Sequence, residues 1–254
     1  MARVASFTTS LGLRLLAVFA ALWGSESAAC TRADIPHAAA DAFTAERERM
    51  VETQLADREI KDRRVLAAMR TVPRHLFVPP HDSSDAYDDR PLPIGHGQTI
   101  SQPYIVALMT ELVRPTPTDR ALEVGTGSGY QAAVLASLVS HVYTIEIVPA
   151  LARDAEARLK QLDCDNVTVR AGDGYGGWPE HAPFDIIVVT AAPDRVPEPL
   201  LQQLKSGGRL VVPVGSRFGV QELLLLEKEP SGVVRTTRVA PVRFVPLLRD
   251  PPED

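Results

Sequence analysis

An α/β fold built on a doubly wound, mostly parallel sheet is predicted by three features of the sequence. Short apolar strands alternate with amphipathic helical stretches between residues 120 and 214. One of these strands, Phe184-Asp185-Ile186-Ile187-Val188-Val189, is almost continuously apolar, as expected for a strand buried on both faces. A glycine-rich loop, Gly125-Thr126-Gly127-Ser128-Gly129, joins the first strand of the series to its first helix. Such alternation specifies parallel strands with helices on both faces. With 254 residues, 45% of them hydrophobic, and a net charge of only -5, the chain can bury a sizeable core and is not of the disordered class.

The first 30 residues differ from the rest. Arg3 and Arg14 are the only charges before an apolar run of nine residues at 15–23, and the small residues Gly24, Ser25, Ser27, Ala28 and Ala29 follow. Basic flank, short apolar core and small-residue exit form the order of a secretory signal peptide. The run is too short for a lasting membrane span. Ser27-Ala28-Ala29-Cys30 is a poor match to a lipoprotein cleavage site, which normally carries an aliphatic residue where Ser27 stands, so a lipid anchor on Cys30 is a minor expectation. Residues 1–30 are therefore read as a leader, 31–41 as a linker and 42–250 as one domain. The domain divides into a helical and loop part over 42–117 and the sheet with its C-terminal strands over 118–250.

Within the domain, Phe43, Met50, Val51 and Leu55 set among charges predict an amphipathic helix over 43–55. Asp62 is a cap for a second helix with Val65, Leu66 and Met69 on one face, stopped at Thr71-Val72-Pro73. Residues 79–99, rich in Pro, Asp and Gly, read as an ordered but irregular loop. Pro103 opens a helix that reaches about residue 113, and Pro115 and Pro117 end it. Strands are expected at 120–124, 141–145, 167–171, 184–189 and 209–214. Helices are expected at 130–139, 149–162 and 199–204, the last ended by Gly207-Gly208. The runs 222–228 and 233–245, split by Pro230-Ser231-Gly232, read as an antiparallel hairpin at the sheet edge.

Several function classes are excluded at this stage. The weakly acidic balance leaves no basic footprint for nucleic acid. Two cysteines, Cys30 and Cys164, cannot make a disulfide scaffold, and Cys164 is expected on a surface turn. The six histidines show no metal-ligand spacing, so no metal is expected. No Ser-His-Asp or Cys-His constellation stands out.

The glycine loop carries the most information. It follows a strand and opens a helix, the context in which such a loop cradles a ligand. Glu146 ends the next strand, 21 residues after Gly125, where a carboxylate can accept hydrogen bonds from ribose hydroxyls. A dinucleotide fold requires its third glycine at position 130, which is Tyr130; the third glycine stands one residue early, at Gly129. Glu123 precedes the loop, and a carboxylate there repels a pyrophosphate but favours a cationic amino acid moiety. The arrangement Glu123, Gly125, Gly127, Gly129 resembles the S-adenosyl-L-methionine (AdoMet) site of class I methyltransferases, with Thr126 inside the same loop. A dinucleotide site and a ligand-free tight turn are the competing readings. Asp173-Gly174 follows the third strand and faces the same crevice, where Asp173 can accept from an adenine amino group; an Asp-Gly turn is its bland alternative.

Beyond this loop, several separated blocks resemble the protein-L-isoaspartate O-methyltransferase family. They are Val72-Pro73-Arg74-His75-Leu76-Phe77-Val78-Pro79, Leu92-Pro93-Ile94-Gly95-His96 with Gly97-Gln98-Thr99-Ile100-Ser101-Gln102-Pro103, the loop from Glu123 to Gln131, the strand from Phe184 with Thr190-Ala191-Ala192-Pro193, Leu210-Val211-Val212-Pro213-Val214-Gly215, and Val242-Arg243-Phe244-Val245-Pro246-Leu247. The Gly97-to-Pro103 block is the family-specific one. The resemblance covers about residues 47–248 and implies a Rossmann-like class I methyltransferase fold. It also implies methyl transfer from AdoMet to the free α-carboxylate of L-isoaspartyl residues in damaged proteins and peptides. The ester then collapses to a succinimide that reopens partly as aspartate, which starts repair. The leader departs from the family, which is typically cytosolic.

The resemblance also assigns roles. Ser101 matches the family's catalytic serine, its hydroxyl donating to the acceptor carboxylate; a helix cap ahead of Pro103 is the alternative. Thr99 lines the same pocket, toward both cofactor and substrate. His96, between Gly95 and Gly97, has a loop role. Val242, Phe244 and Val245 lie along the extended peptide, with a plain last strand as the alternative, and the loop 85–89 is a candidate for closing over the site. Isoaspartyl proteins and peptides are the expected partners, the expected state is a monomer, and the expected compartment is the cytoplasm, with export through the leader as the alternative. A small-molecule methyltransferase and a non-catalytic AdoMet-binding module are the competing functions.

Overall fold

The computed structural model describes residues 42–216 and 219–250, so the leader, the linker and Cys30 lie outside the described residues. Helix α1 (Thr44–Arg49) runs on as a wider π-helical stretch over Met50–Ala56, burying Met50, Val51 and Leu55. In α2 (Arg63–Thr71) the Asp62 carboxylate accepts from the Arg64 backbone N–H at 2.8 Å, the cap read from the sequence.

Residues 79–99 are more regular than their composition suggests. They hold a 3-10 turn over Pro80–Asp85 and an antiparallel hairpin of β1 (Leu92–Gly95) and β2 (Gln98–Ile100). Strands this short are hidden by the punctuation around them. The hairpin turns at Gly95-His96-Gly97, all three at positive φ (88°, 50° and 66°), a conformation glycine adopts without a Cβ penalty. Helix α3 (Pro103–Leu112) follows with no side chain of its own capping residue bonded to it; Asp89 from the preceding loop accepts from the Tyr104 backbone N–H at 3.3 Å. Ser101 is therefore not the helix cap.

The sheet is then laid down as β3 (Arg120–Val124), α4 (Tyr130–Ala136), β4 (His141–Glu146), α5 (Pro149–Gln161), β5 (Val167–Ala171), β6 (Phe184–Val189), α6 (Glu198–Gln203), β7 (Leu204–Val214), β8 (Gln221–Lys228) and β9 (Val234–Val242). Its seven strands lie in the order β5-β4-β3-β6-β7-β8-β9, parallel through β7 and antiparallel beyond it. Neighbouring residues of β6 feed different cores. Ile186 and Val188 pack with Val211 and Leu223 on one face, while Ile187 and Val189 pack with Leu122, Leu210 and Val212 on the other. All four β6 residues are essentially inaccessible, which is why the strand reads as a continuous apolar run.

Three expectations are corrected. Gly207-Gly208 do not end a helix but lie inside β7, where Phe184 pairs with Leu204 and Ile186 with Arg209 across a bulge. Gly207 has φ 83°, which favours glycine, and a Cβ on Gly208 would sit 2.8 Å from the Asp185 carbonyl oxygen, so close strand approach requires glycine at 208. Cys164 is on a turn but is buried, packed into the core beneath α5. The last strand ends at Val242, short of 245, because Ala192 captures the backbone beyond it: its N–H donates to Val245 O at 2.8 Å and its carbonyl accepts from Leu247 N–H at 2.9 Å.

Candidate active site

The chain lays β4 on one side of β3 and β6 on the other, so the C-terminal ends of these strands flank the point where strand order reverses. Crevices form at such points. Here a cleft of about 510 Å³ is lined by Gly125, Gly127, Glu146 and Gly174, with Thr190 from the end of β6 and Val245 to Leu248 closing over it. The loop is fixed from below. Gly125 and Thr126 N–H groups donate to the Ile145 carbonyl at 2.8 and 3.2 Å, and Gly127 N–H donates to Glu146 Oε2 at 2.7 Å. Glu146 Oε1 accepts from Val148 N–H at 2.9 Å, and burial raises the carboxyl's pKa.

Gly125 has φ 100°, and a Cβ there would lie 2.3 Å from Thr190 Oγ1, which donates to the Val124 carbonyl at 3.1 Å. We expect Gly125→Ala to lose about 1–3 kcal/mol of stability, from the strained backbone and the displaced threonine. Denaturant unfolding measures this, and an unchanged midpoint would show that the loop has another way to pack.

Under the loop, Glu123 is fully buried and forms part of a smaller cavity of about 320 Å³ with Gly125, Gly127, Ser128 and Thr190. Thr144 donates to Glu123 Oε2, and Thr126 Oγ1 contacts Thr144 Oγ1 at 2.6 Å. Glu123 Oε1 has no partner among the described residues. Burial pushes the Glu123 carboxyl up to about 8, against the Thr144 hydrogen bond and with the help of nearby Glu146. The folded chain thus keeps a proton that the unfolded chain, with a carboxyl near 4.5, loses. Stability is fully present below the unfolded value and falls as pH rises through the folded one, by up to about 1.4 kcal/mol per pH unit between them. Glu123→Gln is expected to flatten this slope in urea melts across that window; a slope unchanged in the variant places the titration elsewhere.

A second cleft, of about 960 Å³, adjoins the first. Ser101 and Gln102 form one wall, and Val242, Phe244 and Val245 the other. Gln221 clamps the far wall: Phe244 N–H donates to its Oε1 at 2.6 Å and its Nε2 donates to the Phe244 carbonyl at 3.2 Å. Thr99 and Thr190 line both clefts and the smaller cavity, and so stand where all three meet.

The structure brings together Thr99, Ser101, Glu123, Gly125, Thr126, Gly127, Glu146, Gly174, Val242, Phe244 and Val245 around these cavities. Gly129 and Asp173 stand apart from the cavity walls. Gly129, at φ 90°, opens α4 against Ala155 and Leu159. The Asp173 carboxylate accepts from Tyr175 N–H at 2.8 Å and faces Arg249 at 3.9 Å, while its neighbour Gly174 reaches the cleft. Thr190 was not singled out from the sequence. Its signal was positional: it ends the strand next to β3 across the reversal in strand order.

The chemistry of the residues fits AdoMet. The glycines let the cradle walls pack where a Cβ would strike Thr190 or Val124, and the unpartnered Glu123 oxygen can accept from an ammonium group, whose charge would in turn favour the ionised carboxylate. Comparison with known proteins agrees. The family described as Protein-L-isoaspartate(D-aspartate) O-methyltransferase (PCMT) matches residues 45–251. The chain is 58% identical over 205 residues to the protein-L-isoaspartate O-methyltransferase of Gloeobacter violaceus, covering 81% of this chain and all of that one. Among solved structures, it is similar to a protein-L-isoaspartate O-methyltransferase at 31% identity and TM-score 0.71, over 79% of this chain; it spans 65% of that longer chain. A Plasmodium falciparum chain described as a protein-L-isoaspartate O-methyltransferase, in complex with S-adenosyl-L-homocysteine, matches at 27% identity and TM-score 0.69, over 80% of this chain and 99% of that one.

Proposed function

The chain belongs to the protein-L-isoaspartate(D-aspartate) O-methyltransferase family, and we propose that its adjoining clefts hold AdoMet and the free α-carboxylate of an L-isoaspartyl residue. The observation that carries this assignment is the position of Thr99 to Ser101, which borders the glycine-loop cleft on one side and the groove walled by Val242 to Val245 on the other. In this reading Glu146 accepts from the ribose, Glu123 faces the amino group and Gly125, Thr126 and Gly127 shape the cradle. Gly174 borders the adenine side and Asp173 supports it through the turn. Gly129 sets the angle at which α4 leaves the loop. Residues 42–250 act as one methyltransferase domain.

AdoMet supplies a methyl group on a sulfonium, which is already electrophilic. The acceptor carboxylate is an anion at pH 7, so no side chain has to remove a proton. The chain's own work is placement and exclusion of water. Ser101 donates its hydroxyl hydrogen to one carboxylate oxygen and leaves the other free to attack in line. Thr99 and Thr190 fix the spacing between the two clefts. The segment from Val245 to Leu248 shields the first cleft, anchored by its ladder to Ala192 and by Tyr175 Oη donating to the Leu247 carbonyl at 3.4 Å. His96 acts in the hairpin turn, not as a base. The Val242 to Val245 wall contacts peptide backbone, which suits damage arising in many sequence contexts.

Transfer of labelled methyl from AdoMet to an isoaspartyl peptide, with the matching aspartyl peptide as control, tests the reading. Labelling of the isoaspartyl peptide alone is expected; equal labelling of both, or of neither, overturns it.

We further place the working enzyme in the cytoplasm as a monomer. AdoMet is made in the cytosol and is too polar to cross a bilayer unaided. No described helix is long and apolar enough to cross a membrane. Fractionation of cells expressing the full chain is expected to recover the uncleaved protein with the cytosol. A product cleaved at the leader, in a periplasmic or membrane fraction, would assign residues 1–30 to export and reopen lipidation of Cys30.

A further inference from the structure

We propose that Arg243 biases the acceptor groove toward isoaspartyl sites flanked by acidic residues, an inference that rests on the second cleft being the acceptor groove. Arg243 is the one charged residue among the described residues lining that cleft. It is exposed, and among the described residues no hydrogen bond or ion pair engages its guanidinium. The walls around it are otherwise uncharged, with Pro91, Ile105, Pro241 and Phe244 among the apolar residues and Thr99, Ser101, Gln102 and Thr190 among the polar ones. Walls without an opposing charge leave the field of a single charge uncancelled in the groove.

No carboxylate is among the described residues lining the cleft, and Glu222, opposite Pro241 on β8, is the acidic residue closest in register to Arg243. Asp89 lies behind the opposite wall, where its carboxylate accepts from Gln102 Nε2 at 2.7 Å and pairs with Arg58 Nη1 at 2.7 Å. The lining itself therefore carries a single positive charge on a chain whose overall charge is negative. The backbone carrying Arg243 is held in place by the Gln221 clamp on Phe244, one residue on. The long side chain can then sweep several positions of a bound peptide. That geometry produces a graded preference for nearby carboxylates and a penalty for nearby ammonium groups. It does not produce a requirement at one position.

The experiment compares isoaspartyl peptides that differ only in Glu, Ala or Lys near the damaged residue, on either side of it. Methyl transfer is measured with the full chain and with Arg243→Ala and Arg243→Glu. For the unaltered chain, KM should be about two- to fivefold lower for the Glu peptides than for the Lys peptides at low ionic strength, and the gap should close in salt. Arg243→Ala should abolish that ratio and Arg243→Glu should invert it. Charge-blind KM values in the unaltered chain, or the same ratio retained in Arg243→Ala, overturn the inference while leaving the acceptor assignment standing. Failure to methylate any isoaspartyl peptide overturns both.

Discussion

Ser101→Ala is expected to lower turnover of an isoaspartyl peptide about a hundredfold, the scale on which loss of one well-placed donor acts. AdoMet affinity should change by less than about twofold if, as proposed, the removed hydroxyl serves the acceptor and not the cofactor. The structure makes this a clean substitution. Ser101 caps no helix, because Asp89 serves the start of α3 instead. Its backbone is held independently by Arg74, whose guanidinium is fully buried, donating to the Ser101 carbonyl at 2.7 Å and to the Ala86 carbonyl at 2.7 Å. Burial lowers the Arg74 pKa to about 10, which leaves it charged at neutral pH and those bonds intact. Alanine therefore removes a donor and leaves its platform. Steady-state kinetics beside calorimetric titration of AdoMet separate the outcomes: an equal fall in turnover and affinity would mean that Ser101 shapes the pocket and does not orient the carboxylate.

The parts of this molecule that were legible in the sequence are those in which one residue type has one physical use. The double burial of β6 is written in its unbroken apolar run, and the crossing from β3 to α4 in its glycines. The site was less legible where function depends on what lies across space. Thr190 follows β6 of the large sheet and Thr99 lies on β2 of the separate hairpin, and only their tertiary packing brings them to one junction. Asp173 could be placed at the right strand end but not aimed, because whether its carboxylate turns to the cleft or to the Tyr175 N–H is decided by the local turn. The β1–β2 hairpin escaped notice because each strand is shorter than the window in which alternation can be seen. The glycines at 207 and 208 misled for a related reason: glycine serves a positive φ or a close approach as readily as a helix end, and here Gly207 takes the first role and Gly208 the second, against β6.

Glu146→Ala is expected to weaken AdoMet binding by roughly five- to 150-fold, from about 1–3 kcal/mol for hydrogen bonds to a charged acceptor. The carboxylate is almost wholly buried, and each oxygen already takes one backbone N–H, from Gly127 and from Val148. An ionised carboxylate has about four acceptor sites, so two remain for ribose hydroxyls on the cleft side. The substitution thus removes two kinds of support at once, the ribose acceptor and the tether of the loop at Gly127. A deoxyribose analogue of the cofactor separates them. The unaltered chain should bind AdoMet more tightly than the analogue, and in Glu146→Ala that difference should collapse, because the acceptor that tells them apart is gone. If the variant loses affinity for both ligands by the same factor and still discriminates between them, then Glu146 serves the loop alone. The ribose contact would in that case belong to another group lining the cleft.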